Sequence, residues 1–434
     1  LKILWCGDGA VPSGFSRVTH AVCDALHAAG HEIHVLAINW HDETHPYPYP
    51  LYHCVHPFDG GRDGFGISRL PRLARRLQPD AVVLLNDPWN IPHYLSALRA
   101  EFDTPADAPL PFPVIAYLAV DAKNIHASAL ADPAITHVAV WTDFAADELA
   151  RGGYLAPVTV IPLGVDSTLY APKDPETRLA CRASICKPGI PDDAFIVGYV
   201  GRNQYRKRLD LLISYFAEWL HGTPDSPDNQ PNAYLYLYVG PTGDSDGVDI
   251  SSLARYYGIA ERVFIASPDL GQGQPETSLP YFYNAFDAFL TLSQSEGWCL
   301  PVLEAMACGV PCIVPSWAAL GERGWLNGAA IQIPCTSTAL SAPNGSREGK
   351  YTIGGVADKA ATIEALEALY ADRVLRAEIG SLGRRRAEEL PWSQTGEMFT
   401  SMLEEIVDGL LESAHASDDA TAPTAGESED EGAA

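Results

Sequence analysis

The sequence predicts an α/β fold of two successive doubly wound, Rossmann-like domains. Three observations predict it. Short apolar runs alternate with helical periodicity in two separate series, the pattern fails between them from Gly164 to Asp193, and 434 residues exceed one ordinary core. The first series begins with the strand KILWC, a helix from about Ser16 to Ala29 that Gly30 and His31 stop, and the strand HEIHVLAI. It continues through AVVLLN, PVIAYLAV, HVAVW and VTVIPL, runs apolar enough to be buried on both faces of a parallel sheet.

The stretch GVDSTLYAPKDPETRLACRASICKPGIPDD, rich in Pro and turn formers, reads as an irregular interdomain segment. The expected boundaries are 1–165 for the first domain, 166–193 for the segment and 194–390 for the second domain. The second series runs FIVGYVG, YLYLYVG, RVFIAS, AFLTLS, PCIVPS and AAIQIP. HGTPDSPDNQPN and TSTALSAPNGSREGKY combine turn residues with few apolar anchors and read as surface loops. A last helix over 391–413 carries Met398, Met402, Ile406, Leu410 and Leu411 at near-helical spacing, which requires a docking surface. The acidic remainder, 414–434, has no side chain larger than Ala among its apolar residues and reads as disordered.

A formal net charge of -26 disfavours nucleic acid or an anionic lipid surface as the main partner. SRLPRLARRLQPD, with Arg69, Arg72, Arg75 and Arg76 opposite an apolar stripe, is the best local basic patch in the first domain. No apolar run is long enough to span a membrane, and LKILWC opens without a basic leader, so a cytoplasmic protein without stable membrane insertion is expected. The nine scattered cysteines read as buried thiols; Cys181 with Cys186, and Cys308 with Cys312, lack the second Cys/His pair of a zinc site.

SQSEGWCLPVLEAMACGVP places two glutamates around a helix start. Pro301 suits the first turn and Gly309 the end. The backbone of Gly297, Trp298, Cys299 and Leu300 then lies at a helix N-terminus, where a phosphate oxygen is favoured. Glu304, one turn in, is placed to accept hydrogen bonds from two neighbouring hydroxyls, as on a ribose, although a first-turn glutamate also favours any helix. In VGYVGRNQYRKRLDLLISYF a buried strand ends at Gly201 and a basic loop follows, so Arg202 and Lys207 can converge on a diphosphate.

GDGAVPSGFSR lets the backbone approach a ligand at Gly14 but lacks the GxGxxG spacing, and a plain strand-to-helix turn fits it as well. Asp121 ends VIAYLAVD, where a carboxylate can orient a sugar hydroxyl, or simply cap a loop. Asp244 and Asp246 in GDSDG have a DxD spacing used for metal elsewhere, but their Gly-rich surroundings favour a loop, and no metal is expected.

Together these motifs resemble the retaining nucleotide-sugar glycosyltransferases of the two-domain B fold (GT-B), in the group related to sucrose and glycogen synthases. Glu296 and Glu304 reproduce that family's E-x7-E signature, VGRNQYRKR resembles its diphosphate loop, and SGFSRVTHAVCDALHAAGHEIHVLA resembles its first strand-turn-helix-strand unit. The resemblance implies a cleft between an acceptor-side first domain and a donor-binding second domain, with the last helix crossing back to the first. It assigns Glu304 to the ribose, Glu296 to the transferred sugar, Arg202 and Lys207 to the diphosphate, Gly297 to Leu300 to sugar and phosphate, and Gly14 to the phosphates from the other side. The implied activity is metal-independent glycosyl transfer from a nucleoside-diphosphate sugar with retention, needing no cofactor. Its acceptor, whether glycan, small molecule, protein or modified DNA base, is left open. A nucleotide-sugar epimerase of similar fold and a non-catalytic nucleotide-sugar-binding subunit are the alternatives. Where many relatives carry a histidine this chain has Asp121, with His126 five positions later, and either can take that role. Arg208 stands where a glycine is common.

Overall fold

Residues 1–54, 63–185, 191–222, 232–239, 247–266, 276–321, 323–341 and 352–421 are described by the structure, a computed structural model. The first sheet contains β1 (Lys2–Asp8), β2 (Glu32–Ile38), β3 (Leu51–His53), β4 (Ala81–Asn86), β5 (Val114–Leu118), β6 (His137–Val140) and β7 (Val158–Val160). All its pairs are parallel, in the order β3-β2-β1-β4-β5-β6-β7. Its helices are α1 (Gly14–Ala28), α2 (Arg69–Leu77), α3 (Ile91–Phe102) and α4 (Asp143–Arg151). The predicted start of α1 at Ser16 moves back to Gly14, because Ser13 is the N-cap and its Oγ accepts from the Ser16 N–H.

After the linking helix α5 (Pro175–Ile185), the second sheet contains β8 (Phe195–Gly201), β9 (Ala233–Val239), β10 (Val263–Ala266), β11 (Ala288–Leu290), β12 (Cys312–Pro315) and β13 (Ile331–Ile333). It is also parallel, in the order β10-β9-β8-β11-β12-β13. Here the helices are α6 (Leu209–His221), α7 (Ile250–Tyr256), α8 (Leu279–Ala285), α9 (Leu300–Ala307), α10 (Lys359–Ala371) and α11 (Arg373–Glu388). Strands such as Ile3 to Cys6 and Val82 to Leu85 are buried at nearly every position, as a sheet covered by helices on both faces requires. The two-domain, doubly wound fold is therefore as expected.

Three local expectations are corrected. The Pro-rich linking segment contains the regular helix α5: Pro175 fits a first turn, Asp174 Oδ1 accepts from the Thr177 N–H, and Arg178 and Arg182 both pair with Asp287. The expected loop TSTALSAPNGSREGKY begins as a strand instead. β14 (Cys335–Leu340) pairs antiparallel with β15 (Ile353–Ala357), because alternating Thr and Ser with β-branched character suits a half-exposed ladder. Finally, the last helix, α12 (Trp392–Thr421), continues past 413 into the stretch expected to be disordered. Residues 422–434, Cys186, Asp244, Asp246 and most of HGTPDSPDNQPN lie outside the described residues.

The apolar stripe of α12 docks on the first domain. Phe399 is fully buried with its ring 5.3 Å from Trp5 and 5.2 Å from Tyr117, and the Thr395 hydroxyl donates to Pro162 O at 2.7 Å. Gly396 allows the close approach: a Cβ there would lie 2.3 Å from that of Ala25 on α1. Two of the four arginines of α2 are engaged locally, Arg75 with Glu101 and the Phe102 ring, and Arg76 with the Tyr52 ring. No helix among the described residues is long and apolar enough to cross a membrane.

Candidate active site between the two sheets

The C-terminal ends of the strands of both sheets face one another. In doubly wound sheets this is the ligand crevice. Gly14, the first residue of α1, lies against Leu300, the first residue of α9, with an added Cβ 3.6 Å from Leu300 Cδ1. A Cβ on Gly297 would meet the Trp141 ring at 3.2 Å, and Val120 O at 3.6 Å. The Lys123 and Ile353 backbones exchange two hydrogen bonds of 3.0 and 2.9 Å, which ties the loop after Asp121 to the second domain.

The loop before α9 holds an uncommon backbone. Cys299, the N-cap residue, lies at φ 72°, no side chain caps the helix, and Pro301 follows in the first turn. A non-glycine residue in the left-handed region costs about 1–2 kcal/mol and persists where packing over-determines it. Trp298 supplies that packing: its ring stacks on Trp325 at 4.9 Å, and Trp325 Nε1 donates to Trp298 O at 2.6 Å. The result is a helix N-terminus with its positive dipole end turned toward the cleft.

Glu304 and Glu296 stand on either side of this turn in different company. Glu304, 2% exposed, accepts from the Tyr283 hydroxyl at 2.5 Å and pairs with Arg17 of α1 across the cleft. Arg17 also lies 3.6 Å from Glu276. Glu296, 6% exposed, binds Lys207 Nζ at 2.5 Å and Arg206 at 3.4 Å. Burial pushes the Glu296 carboxyl up, but Lys207 and Arg206 overcome it and hold it down to about 2.

The cations of the 202–208 loop take different partners. Lys207 reaches Glu296, but Arg202 is exposed and its charge acts on Asp8 of the first domain; the second cation at Glu296 is Arg206. Local geometry explains the inward pair. Residues Tyr205–Lys207 form a single tight helical turn, and Arg208 closes it at φ 48°, which turns Arg206 and Lys207 inward together. The left-handed Arg208 also gives the physical reason a glycine suits that position.

From the first domain, carboxylates approach this pair of cations. Asp121 is pushed up by burial and pulled down by Arg206 and Lys207, with Glu296 opposing. His126 is exposed, whereas Asp121 is partly buried and feels Arg206, Lys207 and Glu296. Asp87, directly after β4, is raised to about 7 by burial, by Asp121 and by Asp8, against the pull of Arg206. Sequence reading missed Arg206, Arg17, Tyr283, Asp87 and Asp8. For Asp8 and Asp87 the signal existed, since each ends an apolar strand just as Asp121 does. Among the described residues no group of His, Cys, Asp and Glu is arranged to hold a metal ion.

Fold and cleft together define a double-Rossmann protein with a cluster of buried ion pairs at its domain interface. A glycosyltransferases group 1 family model matches residues 182–318, and a glycosyltransferase family 4 model matches residues 12–169. The chain is thus related to glycosyltransferases, with a region similar to their group 1 domain over residues 182–318. It is 34% identical over 160 residues to the D-inositol 3-phosphate glycosyltransferase of Stackebrandtia nassauensis, covering 36% of this chain and 32% of that protein. The enzyme of the same name from Kribbella flavida is 30% identical over 262 residues, 59% of this chain and 53% of that protein. The chain thus spans about a third to a half of the length of these curated relatives. Sucrose-phosphate synthase from Thermosynechococcus elongatus superposes with a TM-score of 0.69 at 18% identity, over 94% of this chain and 99% of that one. Anabaena HepE in complex with UDP-glucose superposes with a TM-score of 0.66 at 15% identity, over 93% and 99%. At such identities the superpositions show a shared fold.

Proposed function

We propose that this chain transfers a glycosyl group from a nucleoside-diphosphate sugar to an acceptor hydroxyl, with retention and without a metal. The observation that carries this reading is the pair of inward-facing cations, Arg206 and Lys207, set against Glu296 beside the uncapped N-terminus of α9. The donor diphosphate lies between the helix end and the cations of the 202–208 loop, Arg202 included. Its ribose hydroxyls donate to Glu304, which hydrogen-bonds Tyr283 in their absence. The region 194–390 then serves as the donor side and 1–165 as the acceptor side, with 166–193 joining them.

In the reaction the bond from the anomeric carbon to the β-phosphate oxygen breaks while the acceptor oxygen bonds to that carbon on the same face. The acceptor proton passes to the departing phosphate oxygen, and a nucleoside diphosphate leaves. The cations and the helix end stabilise its growing negative charge, while Glu296 and Asp121 border the positive charge that develops on the sugar. Free thiols at every described cysteine support a reducing, cytoplasmic setting.

A panel of nucleotide sugars in a thermal-shift assay, followed by product analysis with and without acceptors, tests this reading. Donor-dependent stabilisation, a glycoside product of unchanged anomeric configuration, and loss of turnover in Lys207→Ala are expected. An isomerised nucleotide sugar made without any acceptor overturns it in favour of an epimerase, and activity abolished by chelator and restored by manganese overturns the metal-free mechanism.

A further inference from the structure

The acceptor half of the cleft carries chemistry of its own. The donor half takes the helix end and the cations, so what remains for the acceptor is the crevice at the strand ends of the first sheet. β1, β4 and β5 are neighbours in that sheet, and each delivers a carboxylate there: Asp8 is the last residue of β1, Asp87 follows β4, and Asp121 lies just beyond β5. Asp8 is held in place by the Ser13 hydroxyl at 2.5 Å and by Asn39 Nδ2 at 3.1 Å.

An aromatic rim borders the same crevice. Trp40 fits against Gly9, where a Cβ would lie 2.6 Å from its own, and its ring stacks on His53 at 4.4 Å with the planes 15° apart. Tyr47 stacks on His20 at 3.4 Å and beside His45 and Tyr49, and both Trp40 and Tyr47 are partly exposed. Among the described residues, the first-domain cations Arg17 and Lys123 that border the cleft are committed elsewhere: Arg17 to Glu304 and Glu276, and Lys123 over the Trp317 ring at 4.0 Å. His20 is held neutral, its pKa pushed down to about 4 by burial.

We infer that the acceptor is an uncharged cyclic polyol or sugar that bears no phosphate, its hydroxyls donating to Asp8, Asp87 and Asp121 and one ring face lying on Trp40 and Tyr47. This rests on the proposed transferase reading. A phosphate monoester adds close to two negative charges, and here it meets carboxylates where a phosphate-binding crevice needs arginine or lysine. Hydroxyl donors on carboxylate acceptors beside an aromatic face are what a polyol recognises instead. The contrast is with the relatives named for inositol 3-phosphate.

The test uses the full chain saturated with whichever nucleotide sugar stabilises it, and matched acceptor pairs: myo-inositol against its 3-phosphate, and glucose and maltose against their phosphates. The uncharged member of a reacting pair should exceed its phosphorylated partner at least tenfold in kcat/KM. Asp87→Asn should narrow that ratio, and Asp87→Lys should narrow it further by raising kcat/KM for the phosphorylated member. Higher turnover of a phosphorylated member, no turnover of any uncharged member by a chain that binds donor, or a ratio unmoved in both Asp87 variants overturns the inference. Failure of every nucleotide sugar to bind instead overturns the transferase reading beneath it.

Discussion

Replacing Glu296 with Gln isolates the charge of the buried cluster while keeping its size. The carboxyl is held at about 2 against an ordinary 4.5, a depression caused by Lys207 and Arg206 in spite of burial. At about 1.4 kcal/mol per unit, that difference amounts to roughly 3 kcal/mol of folded-state stabilisation. Because the folded pKa is depressed, the contribution is fully present above pH 4.5 and is lost as pH falls from there toward 2. Little solvent screening reduces it, since the Glu296 side chain is 7% and the Lys207 side chain 12% exposed. Removing one partner of such a pair also leaves the other buried without compensation, which points to the same size of loss. Urea unfolding of the wild type, Glu296→Gln, Lys207→Met and the double variant at pH 7 measures it. Each single change is expected to cost about 3 kcal/mol, with a coupling of about 1–3 kcal/mol in the cycle, and the Glu296→Gln loss should shrink as pH falls below 4.5. A loss under about 0.5 kcal/mol, or no coupling, would refute the buried pair.

Arg17→Ala frees Glu304 from its cross-cleft partner, so the variant should lose about 1–3 kcal/mol of unliganded stability yet bind nucleoside diphosphates more tightly. Titration calorimetry decides it, and an unchanged Kd contradicts competition between Arg17 and the ribose. Phe399→Ala empties a fully buried site against Trp5 and Tyr117 and should cost about 3–5 kcal/mol by urea unfolding; a cost below about 1 kcal/mol is incompatible with α12 docked as described. Asp87 has a folded pKa raised to about 7, so it reduces stability as pH climbs from the ordinary carboxylate range through 7. Asp87→Asn should therefore raise the melting temperature at pH 8 relative to wild type and leave it nearly unchanged at pH 4, and equal shifts at both would be inconsistent with that burial.

Strand-level organisation was legible because a strand buried on both faces has no polar positions to disguise it, as KILWC and FIVGYVG illustrate. α5 was hidden by the prolines around it, although Asp174 and Pro175 together make a good helix start. Glu296 and Glu304 were legible because both sit within a turn of a Pro-marked helix N-terminus. Arg206 was a different problem: it lies beside Lys207 in one basic run, and its inward turn depends on a tight turn and a left-handed Arg208 that spacing does not encode. Arg17 was further out of reach. Its partner is 287 residues away, and only the closed arrangement of two domains brings them together.

That arrangement sets a cluster of cations against carboxylates within a chain of formal charge -26. Without donor, Arg206 is shared among Glu296, Asp121 and Asp87, and Arg202 is drawn toward Asp8, so carboxylates of the first domain occupy the attention of cations on the second. On the proposed reading, a diphosphate entering between them would offer those cations a better anion and release Asp8, Asp87 and Asp121 from them. The freed carboxylates are the ones at the strand ends of the acceptor crevice. Under the proposed reading, donor binding and preparation of the acceptor half would be one electrostatic event, in which the acids that face the cations across the cleft become the groups that accept a polyol's hydroxyls.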